Sequence, residues 1–565
     1  MNHHISRRNF LKKSSHVAAA AGISSCGILL KGCWSRKDFD LVIKDGLVLD
    51  GMGHEFLRTD IGISGNMIKK MGKIPHYRGK KIIESKNLVV CPGFIDVHNH
   101  TDIELIVNPK AESAVRQGVT TLISGNCGSS PFPVAEEIYE EMKGNLKEVY
   151  DVDLNWMDIR GFLARLEEKG SALNYTTLAG HGTIRGAAMG FNDRPPKQEE
   201  LERMKLMVKE NMQNGAFGLS TGLEYAPGSF AQPGEIIELC RIVSEFNGVY
   251  ATHMRDEGDF LLESLEEAVE VARQTGVSLQ ISHLKIAYPR NWHKIESLIE
   301  KLNKAERENV KICCDRYPYV AGSTGLSYLF PLWARQGTTE EFLARLKDST
   351  LERRIREHMT EQEKKLGSWD KILISSVVEE KNKRFEGKSV LSASRESGKE
   401  PFEFMRDLLI EEKNRVEMVI FMMNENNLKR ILSHKLVGIG SDGSAVAPYG
   451  LLGKGKPHPR LYGTFPKVLG RYIREEKILP LTEMVKKMTW IPARKFGLTG
   501  RGSIQPEYIA DIVIFDRDIV MDKATWQDPH LYPEGIYYVI VNGQIVIDKG
   551  EHTGNLPGAI LRKKI

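Results

Sequence analysis

The 565-residue sequence predicts an α/β fold: a TIM-like (β/α)8 barrel, a small β-sandwich domain formed by both chain ends, and an insertion between strands seven and eight. Three observations predict it. Short apolar segments alternate with longer amphipathic ones through the middle of the chain, as parallel βα units do. Both ends are instead rich in short, turn-bounded apolar runs. Histidines, a cysteine and an aspartate fall at or just past the C-terminal ends of the predicted barrel strands, where such barrels place their active sites.

Taken in order, residues 1–38 read as an export signal and tether. Ser6-Arg7-Arg8-Asn9-Phe10-Leu11-Lys12-Lys13 resembles a twin-arginine motif, and a weakly apolar stretch, Val17 to Leu30, follows it. Leu30-Lys31-Gly32-Cys33 resembles a lipobox, in which Cys33 would carry a lipid anchor. Ile23-Ser24-Ser25-Cys26 competes for that role. The expected location is therefore exported, in the periplasm or cell envelope, with the twin-arginine export machinery as a transient partner. The positive charges of residues 1–32 (Arg7, Arg8, Lys12, Lys13 and Lys31, with no acid) account for the whole net charge of +5. The remaining body is neutral, which argues against a nucleic-acid-binding class. Of seven cysteines, Cys26 and Cys33 belong to the leader. The odd remainder does not make a disulfide framework and reads as buried apolar residues, Cys127 apart.

The β-sandwich domain is assigned to residues 39–91 and 500–565. Leu41-Val42-Ile43 and Leu47-Val48-Leu49 flank a predicted turn at Lys44-Asp45-Gly46, and a second turn falls at Ser64-Gly65-Asn66. Ala510 to Phe515 and the hairpin Val541 to Val546 supply the C-terminal share. Residues 92–499 form the barrel. Its predicted strands are 94–100, 119–125, 174–180, 215–221, 248–254, 277–283, 309–315 and 436–441, with helices such as Glu199 to Gln213 and Phe260 to Thr275 between them. The connection over roughly 320–435 is far longer than one βα unit requires and predicts an insertion, read as a helical lid or flap.

The chemistry sits at the strand ends. Strand one runs into His98 and His100, which share a face if the strand continues, because side chains i and i+2 do. Strand two ends in Gly125-Asn126-Cys127-Gly128, strand five reaches His253, strand six His283, and strand eight Asp442. Any His-x-His alone is more often a solvated pair. Four imidazoles, a thiolate and a carboxylate converging on one barrel mouth instead suit zinc, and make this a metal-dependent barrel. His181 also ends a strand but reads as a packing or supporting residue, and Arg255-Asp256-Glu257 as support for the ligands.

At this point the sequence resembles the amidohydrolase superfamily and, within it, the N-acyl-D-amino-acid deacylases (D-aminoacylases). The stretches that carry the resemblance include PGFIDVHNHTD, GNCG, LAGHGTIRGAAMG, GAFGLSTGLEYAPG, YATHMRDEGD, ISHLK, DRYPYVAGST, GSDGS, HPRLYGTFPKVLGRYIRE and HTGNLPGAILR. They extend from about residue 39 to the C-terminus. Many members of the superfamily bridge two metals with a strand-four lysine, and residues 215–228 contain none. In the D-aminoacylases a cysteine takes that place, which here is Cys127. By this resemblance Cys127, His253 and His283 hold one tightly bound Zn2+, while His98, His100 and Asp442 form a second, weaker position. Asp442 is both ligand and the implied catalytic proton carrier, taking a proton from the attacking water and delivering it to the departing amine. The implied reaction is zinc-dependent hydrolysis of the linear amide of an N-acyl-D-amino acid, a small-molecule substrate, to a carboxylate and a free D-amino acid. The handedness comes from the resemblance alone.

The substrate carboxylate needs a cationic clamp. Lys285 stands two residues past His283, and the resemblance adds Tyr317 and Arg460, whose planar fork suits a carboxylate. Tyr225 and Ser323 fall in matching stretches and are the remaining expected substrate contacts. Two rivals are a cyclic-amide hydrolase of the dihydropyrimidinase or hydantoinase kind, and a barrel that binds ligand without turnover. The missing strand-four lysine weighs against the first, and the complete ligand set against the second. His100 is followed by Thr101-Asp102, and GNCG by Ser129-Ser130-Pro131, which are departures from the family pattern that bear on the acyl and side-chain pockets.

Overall fold

The computed structural model describes residues 37–564. The twin-arginine motif, Cys26 and Cys33 lie outside the described residues. Strands from both ends combine in one nine-stranded sheet. Its order is Glu551–His552, Gln544–Asp548, Ile536–Val541, Ile512–Phe515, Val89–Pro92, Phe39–Val48, Leu57–Ser64 and Met67–Met71, with Gly79–Glu84 also paired to Phe39–Val48. Alternation along a strand sets the packing. Ile512 and Ile514 join Ile43, Ile61 and Ile68 in the sheet's own cluster. Val513 and Phe515 point the other way, into the cluster that holds Phe94 and Val119 of the barrel. The sheet curls on itself, so that the Ala510 N–H donates to Asn66 O at 2.8 Å.

One predicted turn is different. Lys44-Asp45-Gly46 is a bulge inside a single strand, Phe39–Val48, whose register against Leu57–Ser64 shifts between Ile43 and Gly46. Asp60 holds it, accepting from the Asp45 N–H at 2.9 Å and from the Lys44 ammonium. A bulge and a turn use the same Asp-Gly chemistry, and only the partner strand decides between them.

The eight barrel strands fall where the apolar segments place them. They are β1 (Phe94–Asp96), β2 (Val119–Ser124), β3 (Asn174–Thr177, resuming at Ala179–Gly180), β4 (Gly218–Gly222), β5 (Val249–His253), β6 (Ser278–Ile281), β7 (Ile312–Arg316) and β8 (Val437–Ile439). All neighbouring pairs are parallel. Past the ends of β8 and β1 the ring closes: Asn99 bridges Gly443 in parallel, the Asp442 N–H donates to His98 O, and the His100 N–H donates to Gly443 O, both at 2.7 Å. Amphipathic helices cover the outside, among them Gln198–Gln213 and Leu261–Thr275.

The insertion, expected as a helical lid or flap, carries helices and lines the cleft but is built on a sheet that the expectation did not include. It pairs Ala321–Gly325, Glu417–Phe421 and Ile372–Ser376 in an antiparallel sheet, packed with helices Thr339–Lys347, Ser349–Leu366 and Pro401–Glu411 around its own core of Phe342, Trp369, Met405 and Ile420. Helical periodicity is local and readable, whereas strands this far apart in sequence give no local sign of their pairing. The following helix, Glu425–Ser433, buries Leu428 and Ile431 in the barrel cluster and so belongs to the barrel.

Candidate metal centre and substrate cleft

All six expected ligands meet at the C-terminal mouth of the barrel. Cys127 Sγ lies 3.4 Å from His98 Nε2, 3.5 Å from His283 Nε2 and 3.9 Å from His253 Nδ1. Asp442 Oδ1 lies 3.1 Å from His100 Nε2 and 3.4 Å from His98 Nε2. Two ligands on one tetrahedral zinc, with bonds of about 2.0–2.3 Å, stand about 3.4–3.6 Å apart. The donors are therefore spaced as ligands of shared cations, and a thiolate with imidazoles and a carboxylate fits zinc. Cys127 belongs both to a group with His253 and His283 and to one with His98 and His100, the place of a bridging ligand.

The backbone reaches this arrangement by leaving strand geometry. Cys127, His283 and Asp442 have φ of 52°, 34° and 51°. Non-glycine residues hold such angles, at about 1–3 kcal/mol each, only where their surroundings enforce them. Close packing surrounds Cys127 and the segment that leads into Asp442. A Cβ on Gly222 at the end of β4 would stand 2.1 Å from Cys127 O, and one on Gly440 2.7 Å from His98 Cβ. So β4 brings a glycine, not a lysine, against Cys127.

A second layer of carboxylates orients the imidazoles, as metal-binding histidines require. Asp315 lies 3.4 Å from His98 Nδ1 and accepts from the His283 N–H at 2.7 Å. Glu224 lies 2.8 Å from His253 Nε2 and accepts from the Tyr328 hydroxyl, which comes from the insertion, at 2.6 Å. Glu257 lies 3.0 Å from His283 Nδ1 and accepts from the Lys285 ammonium. Sequence reasoning named Glu257 as support but missed Asp315, Glu224 and Tyr328. Glu224 stands beside Tyr225 in GLEYAPG, just past β4, and Asp315 opens DRYPYV at the end of β7, so position at a strand's C-terminal end was the available signal. Asp256 and Arg255 face elsewhere, Arg255 pairing with Glu267 at 2.8 Å. His181 pairs with Glu235 at 2.8 Å and serves packing.

Electrostatics keep both anionic ligands ionised. Burial pushes the Cys127 thiol up, but the His98 and His283 imidazoles outweigh it and hold the thiol well below its ordinary value. Burial likewise opposes ionisation of Asp442. The Arg460 guanidinium, then His283, overcome it and hold the carboxyl well below the usual range.

Arg460 begins helix Arg460–Lys467, with its guanidinium 2.7 Å from Asp442 Oδ2 and 4.8 Å from the centre of the Tyr317 ring. Both side chains are buried, yet Arg460 Nε and the Tyr317 hydroxyl have no hydrogen-bond partner among the described residues. Buried donors are rarely left so, which marks them as contacts for an incoming acceptor. His458, which sequence reasoning passed over, positions this arginine: its Nδ1 accepts from the Arg460 N–H at 2.9 Å and its Nε2 donates to Ala321 O at 3.0 Å. Lys285 lines the same wall with its ammonium engaged by Glu257 and 2.7 Å from His283 Nδ1. Tyr225 packs edge-on to His253 at 4.9 Å, and Ser323 donates to Met418 O at 2.9 Å. All five expected substrate residues line one cavity of about 830 Å³ that also holds His100, Cys127 and Asp442.

The family model described as "Amidohydrolase family" matches residues 390–547. A D-aminoacylase of Alcaligenes xylosoxydans xylosoxydans is 34% identical over 526 residues, covering 93% of this chain and 98% of that one. An N-acyl-D-glutamate deacylase of the same organism is 32% identical over 532 residues, covering 94% and 97%. A crystal structure of the N-acyl-D-glutamate deacylase of Bordetella bronchiseptica, with zinc and a phosphonate that mimics the tetrahedral intermediate, superposes with a TM-score of 0.79 at 30% identity, covering 93% of this chain and 100% of that one. With its donor set, cleft and near full-length similarity, the chain belongs to the amidohydrolase superfamily, in the N-acyl-D-amino-acid deacylase (D-aminoacylase) family.

Proposed function

We propose that this protein is a zinc-dependent hydrolase that cleaves the linear amide of N-acyl-D-amino acids to a carboxylate and a free D-amino acid. The observation that carries the reading is the juxtaposition of a shared Cys127 donor set with buried, unpartnered clamp donors in one cavity. Cys127, His253 and His283 would hold the tight zinc, and His98, His100 and Asp442 the weaker position. Bound zinc supplies positive charge beside the scissile carbonyl and makes water a nucleophile near neutral pH.

This chain's residues do the rest. Arg460 and Tyr317 take the substrate carboxylate, with Lys285 adding positive charge to the same wall and Ser323 and Tyr225 shaping it. Asp442 is ionised and takes a proton from the attacking water, then gives it to the amine nitrogen, which otherwise would leave as an unstable anion. A carboxylate arriving at Arg460 shares the guanidinium with Asp442 and so raises the proton affinity of Asp442 when substrate is in place. The D configuration of the substrate is supported by the names of the relatives. Export through the twin-arginine route, with Cys33 as lipid anchor, is supported by the order of charges and apolar residues in the leader.

The test is a turnover screen of N-acetyl-D-amino acids against their L enantiomers on protein whose zinc is quantified. D-selective hydrolysis by zinc-loaded protein is expected. A zinc-replete preparation that turns over only cyclic amides, or nothing, refutes the reading.

A further inference from the structure

The cavity is larger than the chemistry needs, and its excess lies on one side. At about 830 Å³ it stands near the upper end of ordinary ligand pockets. The clamp residues Lys285, Tyr317 and Arg460 follow β6, β7 and β8. Diametrically across an eight-stranded barrel from β7 is β3, and there the cavity continues as an arm along helix His181–Met189. The helix lines it with small residues over most of its length, Gly182, Thr183, Gly186, Ala187 and Ala188, then with Met189 at its end and Gly190 just beyond. A Cβ built on Gly186 would meet nothing within 4 Å, so the glycine there leaves room rather than relieving a clash. Ile138, Met142 and Phe191 also line the arm, and Ile138 and Phe191 are 37% and 40% exposed.

The arm offers shape and apolar surface but few free polar groups. The Thr183 hydroxyl already donates to Ser130 O and accepts from the Ser130 N–H, both at 3.1 Å, and the Ser130 hydroxyl donates to Phe132 O. At the far end Arg194 is paired with Glu200 at 2.7 Å. A peptide there would find few partners for its own amides. An alkyl chain needs none.

We propose, resting on the deacylase reading above, that this arm is the acyl subsite and that the preferred substrates are D-amino acids bearing a medium-length to long linear aliphatic acyl group. The unpartnered donors of Arg460 and Tyr317 anchor the carboxylate on one side, the amide lies over the donor cluster, and the acyl chain runs towards β3. From residue 182 to 190 the helix rises roughly 12 Å, which an extended chain of about eight to ten carbons spans. Burying each methylene is worth about three- to fourfold in kcat/KM.

The experiment measures kcat/KM on zinc-loaded protein for the N-acetyl, N-hexanoyl and N-decanoyl derivatives of D-leucine and D-glutamate, for wild type and Gly186→Leu. Wild type should favour decanoyl over acetyl by at least ~10²-fold. Gly186→Leu fills the arm while improving helix propensity, so it should melt no lower than wild type, and it should cut the decanoyl-to-acetyl ratio at least ~10-fold. Acetyl substrates turned over with no gain on lengthening would overturn the acyl subsite and leave the deacylase reading intact. A chain-length gain that survives Gly186→Leu, or that Gly186→Leu lowers equally for all chain lengths, would also overturn it. Absence of turnover on every N-acyl-D-amino acid would refute the deacylase reading itself.

Discussion

Replacing Arg460 by Ala tests binding and proton transfer at once. Arg460 is 5% exposed, and its guanidinium lies 2.7 Å from Asp442 and against the Tyr317 ring. Removing one partner of a desolvated charge pair costs about 2–5 kcal/mol, which is a loss of roughly 30- to 5,000-fold in kcat/KM for a substrate with a free α-carboxylate. The methyl ester of the same substrate lacks the charge that Arg460 binds and should lose less. It will not be untouched, because Arg460 is also the chief cause of the low proton affinity of Asp442. Without it the pKa of Asp442 rises. A group that must be ionised to accept a proton then becomes protonated at a higher pH, so the acid limb of kcat/KM should move upward for acid and ester alike. The assay is the pH profile of kcat/KM for an acid–ester pair, on wild type and Arg460→Ala of equal zinc content. Equal losses on acid and ester would refute the clamp. An acid limb that does not move would refute the coupling to Asp442.

Three further outcomes follow from the same geometry. Asp442→Asn keeps an oxygen donor but carries no proton, so about one zinc should remain by metal analysis while kcat falls at least ~10²-fold; near-normal kcat with full zinc would exclude the shuttle. Cys127→Ala removes the donor common to two ligand groups, and both zinc content and activity should collapse; full zinc with normal turnover would make Cys127 an ordinary buried cysteine. Gly440→Ala puts a methyl 2.7 Å from His98 Cβ, so strain of about 1–3 kcal/mol should lower the melting temperature and weaken metal binding; an unchanged melt would show that β8 can move away from β1.

The ligands and barrel strands were legible because their signals are local. An apolar run followed at once by His98, Cys127, His253, His283 or Asp442 needs no knowledge of the rest of the chain. The supporting groups were not legible in this way. Glu224, Tyr328 and Asp315 become significant only when β4, the insertion and β7 bring them to His253 and His98, and an acidic or phenolic side chain at or past a strand's end is otherwise unremarked. The insertion sheet failed for the same reason, since Ala321–Gly325 finds its partner at Glu417–Phe421 across a long stretch of chain.

By itself, then, the amino-acid sequence determined the order of elements, the family and the six donors, because periodicity and ligand chemistry are written residue by residue. Only the tertiary structure decided how those donors point. The same-face rule for a strand does not by itself decide it: β1 ends at Asp96, before His98 and His100, while Cys127, His283 and Asp442 take positive φ, and the backbone beside Cys127 and His98 is packed too closely for any residue but glycine at 222 and 440. It decided too that Arg460 faces Asp442 as well as the substrate position, and that the cavity extends along small residues towards β3. Each of these is a relation between surfaces far apart in the chain, set by packing, and packing is a property of the folded whole.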